Sequence, residues 1–395
     1  MSSIFALPPL LFLPLREAFG LSFTQLGSLV LVNFFTQLSI DLIFTVFSKH
    51  FNVKKVVRVM PLITSLGLVT YALLPTFFSR FAYFGLVLGT VIFSVSAGLS
   101  EVLLSPVIAA LPSDNPSKDM SMLHSLYAFG VFTVVVISTL FLKLFGSENW
   151  MILTLFWAVL PVIAAVMFMT SPIPKMGDAS EKSSVKTRNT LSLALCTLTI
   201  FFGSCAENVM SNWISSFTET ALGLDKALGD ILGMAGFAIL LGITRITYAK
   251  YGKNIFKMLL TGMSCAAVCY IVVSLSPSTV VSFIACVLTG IFTSMLWPGT
   301  LIMMEENIPG ASVGAFALMA AGGDLGASLA PQFLGIVVDK VSASDFAVTF
   351  GARYDLSPEQ VGMKAGMLTS AVFPIVGSIL LIFIIRYFKR KKEMQ

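Results

Sequence analysis

Apolar residues gather into long runs parted by short polar breaks, at 4–15, 24–47, 57–78, 84–110, 120–145, 150–171, 191–217, 228–249, 255–275, 280–304, 312–338 and 361–387. About 20 residues of helix cross a hydrocarbon core about 30 Å thick. Uninterrupted runs point to helices, because barrel strands alternate with period two. The pattern therefore predicts an all-α membrane protein with twelve transmembrane helices. The first run is the exception. As written it makes only about 18 Å of helix, so helix 1 reads as truncated, with an upstream start expected.

Composition agrees and narrows the class. Of 395 residues, 56% are apolar and 11% charged, with mean hydropathy +0.90, whereas soluble domains carry about 25% charge. A disordered chain, a secreted disulfide scaffold and a cytosolic enzyme are excluded. The net charge of +5 lies in short loops and forms no continuous basic face, so no nucleic-acid partner is expected. Taking the even-to-odd loops and the C-terminus as inner, 17 Lys and Arg lie inside and seven outside, with Arg245 near the inner end of helix 8. The positive-inside rule then puts the C-terminus in the cytoplasm. Cys196, Cys205, Cys265, Cys269 and Cys286 lie in apolar runs without a CxxC pair and read as reduced packing residues. Two distant His and scattered acids supply no metal set. No P-loop, HExxH or GxSxG spacing occurs, so neither a cofactor nor a catalytic centre is expected.

The one long inner linker, rich in Ser, Pro and charge, divides the chain into an N-terminal six-helix half (1–171), a cytoplasmic linker (172–190), a C-terminal six-helix half (191–388) and a cytoplasmic tail (389–395). The halves echo each other as two six-helix pseudo-repeats. Gly27 to Pro75 and Gly229 to Pro277 are both 48 residues, and Gly98 to Pro106 and Gly290 to Pro298 are both eight. The basic loop from Lys49 to Arg58 has its counterpart in Lys250 to Lys257.

The two-times-six layout with these basic loops resembles the major facilitator superfamily across essentially the whole chain. More specifically, Gly98-Leu-Ser-Glu101-Val-Leu-Leu-Ser-Pro106 in helix 4, Gly203-Ser-Cys-Ala-Glu207 followed by Trp213 in helix 7, and Trp297-Pro298 in helix 10 look like segments of the fucose permease-like group of bacterial transporters. In that group the helix 4 Glu takes part in proton-coupled sugar uptake, and Glu101 matches it. The group's acidic residue in helix 1 has no match, the position reading Pro8 or Pro9. In the loop 2 signature Ser48 and Asn52 stand for Asp and Gly, while Lys54 and Lys55 fit.

Ionisable groups inside spans are costly and face a cavity or a partner. Glu101 and Glu207, near the middle of helices 4 and 7, are the candidates to carry a proton. Asn208, Asn212 and Trp213 of helix 7, Trp297 of helix 10, and His124 and Tyr127 of helix 5 join Glu207 as candidate substrate contacts, with buried pins and the interfacial aromatic belt as the structural alternatives. Asn33, Gln37 and Asp41, spaced four apart, share one face of helix 2 and read as gate residues together with Arg245 and Asp324. An Asp41–Arg245 pair is one expectation; close packing at Gly322-Gly323-Asp324 is another. Pro298 should weaken helix 10. The whole reads as a monomeric secondary transporter of the bacterial inner membrane, taking up a small polar solute such as a sugar with protons as coupling ion. A proton-antiport exporter of amphiphiles, suggested by 34 Phe and 19 Met, and a membrane receptor or scaffold remain as alternatives.

Topology is directly testable. Tags after Gln395 and within 180–186 should report the cytoplasm, and one between Asp345 and Arg353 the outside. A shared side for the last two would refute the span count.

Overall fold

The computed structural model describes residues 1–47, 52–109, 111–112, 116–173, 190–308 and 313–393. Side chains are described throughout these except at 44–47, 105–106, 109, 116–125, 128, 249, 313–314 and 392. Every regular element among the described residues is helical. Nine helical stretches among them are long and apolar enough to cross a membrane. The chain folds as two compact units, Met1–Glu181 and Lys182–Gln395.

In the first unit α1 (Ser2–Leu10) and α2 (Phe12–Phe19) are joined at Leu11, whose N–H is shared by the carbonyls of Leu7 and Pro8, both at 3.1 Å. The first apolar run, expected to stop at residue 15, thus continues as helix through the polar Arg16 and Glu17 and ends on Gly20 in the left-handed region (φ 66°). There follow α3 (Phe23–Phe47), α4 (Val53–Phe77), α5 (Ala82–Ala109), α6 (Pro116–Phe145) and α7 (Trp150–Thr170). Asn52 caps α4 by accepting from the Lys55 N–H at 3.1 Å, a favoured use of Asn at a helix start.

Close approach between α4 and α5 rests on two glycines that face each other's helix. A Cβ on Gly67 would lie 2.5 Å from the Phe93 nitrogen, and one on Gly89 would lie 2.6 Å from the Tyr71 nitrogen. The rings of Tyr71 and Phe93 then meet with centroids 5.9 Å apart. Two hydroxyls on these faces bond between the helices: Thr64 donates to Ser96 Oγ at 2.7 Å, and Ser96 to the Met60 carbonyl at 2.6 Å. Trp157 of α7 donates to Ser138 Oγ of α6 at 2.8 Å, and Ser65 of α4 donates to the Ala158 carbonyl of α7 at 2.8 Å.

The second unit comprises α8 (Thr190–Thr220), α9 (Lys226–Leu228), a π-helical stretch at Gly229–Ala235, α10 (Gly236–Tyr251), α11 (Ile255–Leu275), α12 (Thr279–Thr293), α13 (Leu296–Asn307), α14 (Val313–Ser342), α15 (Asp345–Tyr354), α16 (Pro358–Ser370) and α17 (Val372–Glu393). Asn254 caps α11 through the Lys257 N–H at 3.0 Å, the same device at the same place after a basic loop as Asn52. Small residues again set the packing, with Gly322 of α14 against Thr197 and Gly326 against the Phe201 carbonyl of α8. A buried cluster that includes Leu259, Met263, Met303, Met319 and Leu381 fills the space between α8, α11, α13, α14 and α17. The expected tail is helical as far as Glu393, and Lys391 Nζ donates to Ser192 Oγ of α8 at 3.1 Å.

Gly89→Ala should lower stability by about 1–3 kcal/mol, the usual range for overpacking, because its Cβ meets backbone that cannot turn aside. Gly236→Ala, where the nearest atom is a Val287 methyl at 3.4 Å, should be neutral. Thermal melts of the purified proteins in one detergent compare the two.

Candidate functional site

Pro298 sits three residues into α13. It has no N–H, so the carbonyl four residues earlier, that of the buried Ser294, has no helical donor, and the helix breaks between α12 and α13 at Ser294 and Met295. The break expected near Pro298 is thus displaced one turn toward the N-terminus. Arg245 of α10 supplies the missing donor, its Nε lying 2.8 Å from the Ser294 carbonyl oxygen. That bond fixes the guanidinium plane. Its Nη2 then reaches both oxygens of Glu207 in α8, at 3.3 and 3.4 Å. The Arg245 side chain is 37% exposed and that of Glu207 19%, so the pair is partly open and worth less than a fully desolvated one.

The sequence offered Asp41 as a partner of Arg245; inside its own unit Arg245 is engaged by Glu207 and Ser294, and Glu207, a candidate proton carrier, has a cation beside it. Around it, Asn208 donates to Ser204 O and Oγ at 3.1 and 3.2 Å, and Asn212 to the Asn208 carbonyl at 2.8 Å. Trp297 packs over Gly323, leaving no room there for a Cβ. Asp324 is buried in α14, between the glycines that press on α8 and on Trp297. The stacking role expected of Trp213 is corrected. The close α8–α14 approach buries its ring completely, and its Nε1 donates to the Pro331 carbonyl at 3.1 Å.

In the first unit, Asp41 of α3 and Glu101 of α5 lie together, with carboxylate oxygens within 4.8 Å. Asp41 is half-buried and Glu101 exposed. Two like charges at that spacing repel, and one proton relieves the repulsion. The other two members of the helix 2 stripe form a separate network. Gln37 donates to Asn33 Oδ1 at 2.9 Å, Ser94 of α5 donates to the same oxygen at 2.7 Å, and both amides are buried. They pin α3 to α5. Tyr127 of α6 meets Phe5 of α1 edge-on at 5.9 Å and is 40% exposed. His124 belongs to α6, but its side chain lies outside the described residues.

One charged cluster escaped the sequence reading. Asp230, fully buried at the π-helical stretch, accepts from Ser215 Oγ. It also pairs at 3.5 Å with Lys226, which reaches Glu219 of α8 at 3.5 Å. The spacing of Lys226 and Asp230 by four was the available signal, but an ordinary surface pair has the same spacing.

The Major Facilitator Superfamily profile matches residues 1–331. The chain belongs to this superfamily. It is accordingly a transporter and not an enzyme. Among solved structures it resembles a bacterial homologue of the human lysosomal transporter Spinster, at TM-score 0.75 and 14% identity over 98% of this chain and 96% of that one. A D-xylose–proton symporter gives TM-score 0.70 and 15% identity over 94% and 96%. The Escherichia coli fucose:proton symporter gives 0.58 and 13% over 97% of each chain, a likeness in line with the fucose permease-like motifs. No curated protein matches the sequence.

The Arg245–Glu207 pair predicts non-additive stability. Arg245→Gln leaves Glu207 without its cation, and the double variant with Glu207→Gln should regain part of the loss, giving a coupling of about 0.5–3 kcal/mol. Melting the parent, both single variants and the double variant closes the cycle; additive losses would deny the pair its role.

Proposed function

We propose that this superfamily member is a proton-coupled importer of a small polar solute such as a sugar or related metabolite. It works by alternating access between two six-helix pseudo-repeats in a bacterial inner membrane. The matching Asn52 and Asn254 caps and the division into two compact units support the pseudo-repeat plan. Fucose and xylose symporters among the similar structures support the solute class.

The observation that carries the coupling is the Asp41–Glu101 pair, with carboxylate oxygens within 4.8 Å. Charge within a span opposes movement through lipid, so a proton taken up by the pair lowers that barrier before the halves rock. Glu207 and Arg245 present an acceptor and donors side by side, suited to sugar hydroxyls, and Asn208 and Trp297 of the same unit complete the proposed contacts. A bidentate hydroxyl pair would bond to both members, which explains why an ion pair in the site is left partly open.

A thermal-shift panel including L-fucose, D-xylose and nucleosides supplies a working solute, because a ligand of the folded state raises apparent stability. With that solute in proteoliposomes, Glu101→Gln should retain counterflow and lose accumulation driven by a pH gradient. Glu207→Gln should weaken binding itself. A Glu101→Gln protein that accumulates the solute normally would remove Glu101 from the mechanism; equal loss of counterflow and accumulation would make it a structural pin.

A further inference from the structure

The ten-residue helix α15 lies between the 30-residue α14 and the helical stretch Pro358–Lys391, which is long and apolar enough to cross a membrane. It is well defined at both ends: Ser344 Oγ accepts from the Ala347 N–H at 3.3 Å, and the chain leaves through Asp355 in the left-handed region (φ 54°), with the Leu356 N–H on the Gly351 carbonyl at 2.9 Å. Ten residues make about 15 Å of helix, half of what a crossing needs. It begins three residues after α14 ends at Ser342 and finishes four before α16 starts at Pro358, so it lies level with the ends of the spans.

Its sides have different characters. Ala347 and Gly351 are buried toward the rest of the unit, and a Cβ on Gly351 would come 2.3 Å from the Leu356 carbonyl oxygen. Phe346, Phe350 and Tyr354 follow at intervals of four along the adjoining flank and touch in series, with centroids 5.3 and 4.6 Å apart. They are 60%, 39% and 55% exposed. Thr349 and Arg353, three and seven positions after Phe346, lie on the side turned away from Ala347 and Gly351 and are exposed, with the Arg353 guanidinium 5.7 Å from the Tyr354 ring; Val348, on the far flank, is 59% exposed.

We propose that α15 is an interfacial helix whose Phe346–Phe350–Tyr354 stripe is seated in the bilayer, at the boundary between headgroups and acyl chains. Attachment to a span identifies the occupant. Tyr354 lies four residues before the Pro358–Lys391 stretch, which is long and apolar enough to cross a membrane, so the stripe is held at the end of a span. Its chemistry suits the boundary, where aromatic rings with a polar tip are enriched and a short helix lies in the plane with one side inserted. Arg353 keeps its charge among the headgroups while its stem covers Tyr354. In water three adjacent exposed rings would invite association.

The test uses the full chain in phospholipid nanodiscs. Single cysteines replace Phe346, Phe350, Thr349, Ile379 and Ser278 in turn, each carrying a nitroxide. The parent, whose native thiols are buried or half-buried, is treated identically as the blank. Collision with dissolved oxygen reports lipid and collision with a nickel chelate reports water. Phe350→Cys and Phe346→Cys should show several-fold less nickel and more oxygen collision than Thr349→Cys and the loop position Ser278→Cys, approaching the span position Ile379→Cys. Nickel access at 346 and 350 equal to that at 349 would place the stripe in water and overturn the proposal. Exclusion of both reagents would mean that protein covers it, which overturns it equally. Nickel access at Ile379→Cys would instead refute the membrane reading of α17.

Discussion

A proline that cannot donate a hydrogen bond organises the second unit. In lipid an unsatisfied carbonyl costs several kcal/mol, and Pro298 creates one at Ser294. A long side chain from another helix is the available remedy, and Arg245 serves. Once its Nε is committed to Ser294 at 2.8 Å, the direction of the other guanidinium nitrogens is set, and Glu207 completes the arrangement. A backbone defect in α12–α13, a cation on α10 and an acid on α8 thus form one unit. Each member explains the next: the arginine would be intolerable in a span without its two acceptors, and the acid without its cation.

Much of the helical layout was legible because a lipid-spanning helix is a run of apolar residues and little else. The run at 24–47 became α3 at Phe23–Phe47, and that at 255–275 became α11 with the same limits. Hydropathy failed where helix continues through charge. Arg16 and Glu17 ended the first run on paper, yet helix persists until Gly20; the basic residues after 388 read as a tail, yet lie on α17. It failed again at α15, which a hydropathy scan passes over because ten amphipathic residues average to a loop.

Within the site, the sequence singled out the charged residues but not the pairs that they form. Glu101, Glu207, Asp41 and Arg245 all stood out by charge, but which of them meet depends on the rotation of each helix about its axis, and that is settled by contacts such as Gly98 of α5 on Gln37 and Ile40 of α3. Asp41 consequently faces Glu101, while Asn33 and Gln37, on the same stripe, turn into a hydrogen-bonded seam with Ser94. Trp213 shows the converse. Its place in a motif suggested a ligand contact, but the glycines of α14 bring that helix so close that the indole is enclosed.

The reciprocal glycine contacts of α4 and α5 carry a mechanical consequence. Each helix lays backbone into a notch on the other, at Gly67 with Phe93 and at Gly89 with Tyr71, and the notches are four residues apart on each helix, about one turn. A single such notch would act as a pivot. Two of them behave like a key in a slotted shaft: sliding by even one residue, about 1.5 Å, would drive side chains into both slots at once, and rolling would lift both out. The pair therefore locks α4 and α5 together at that turn, so a displacement of one helix there carries the other with it.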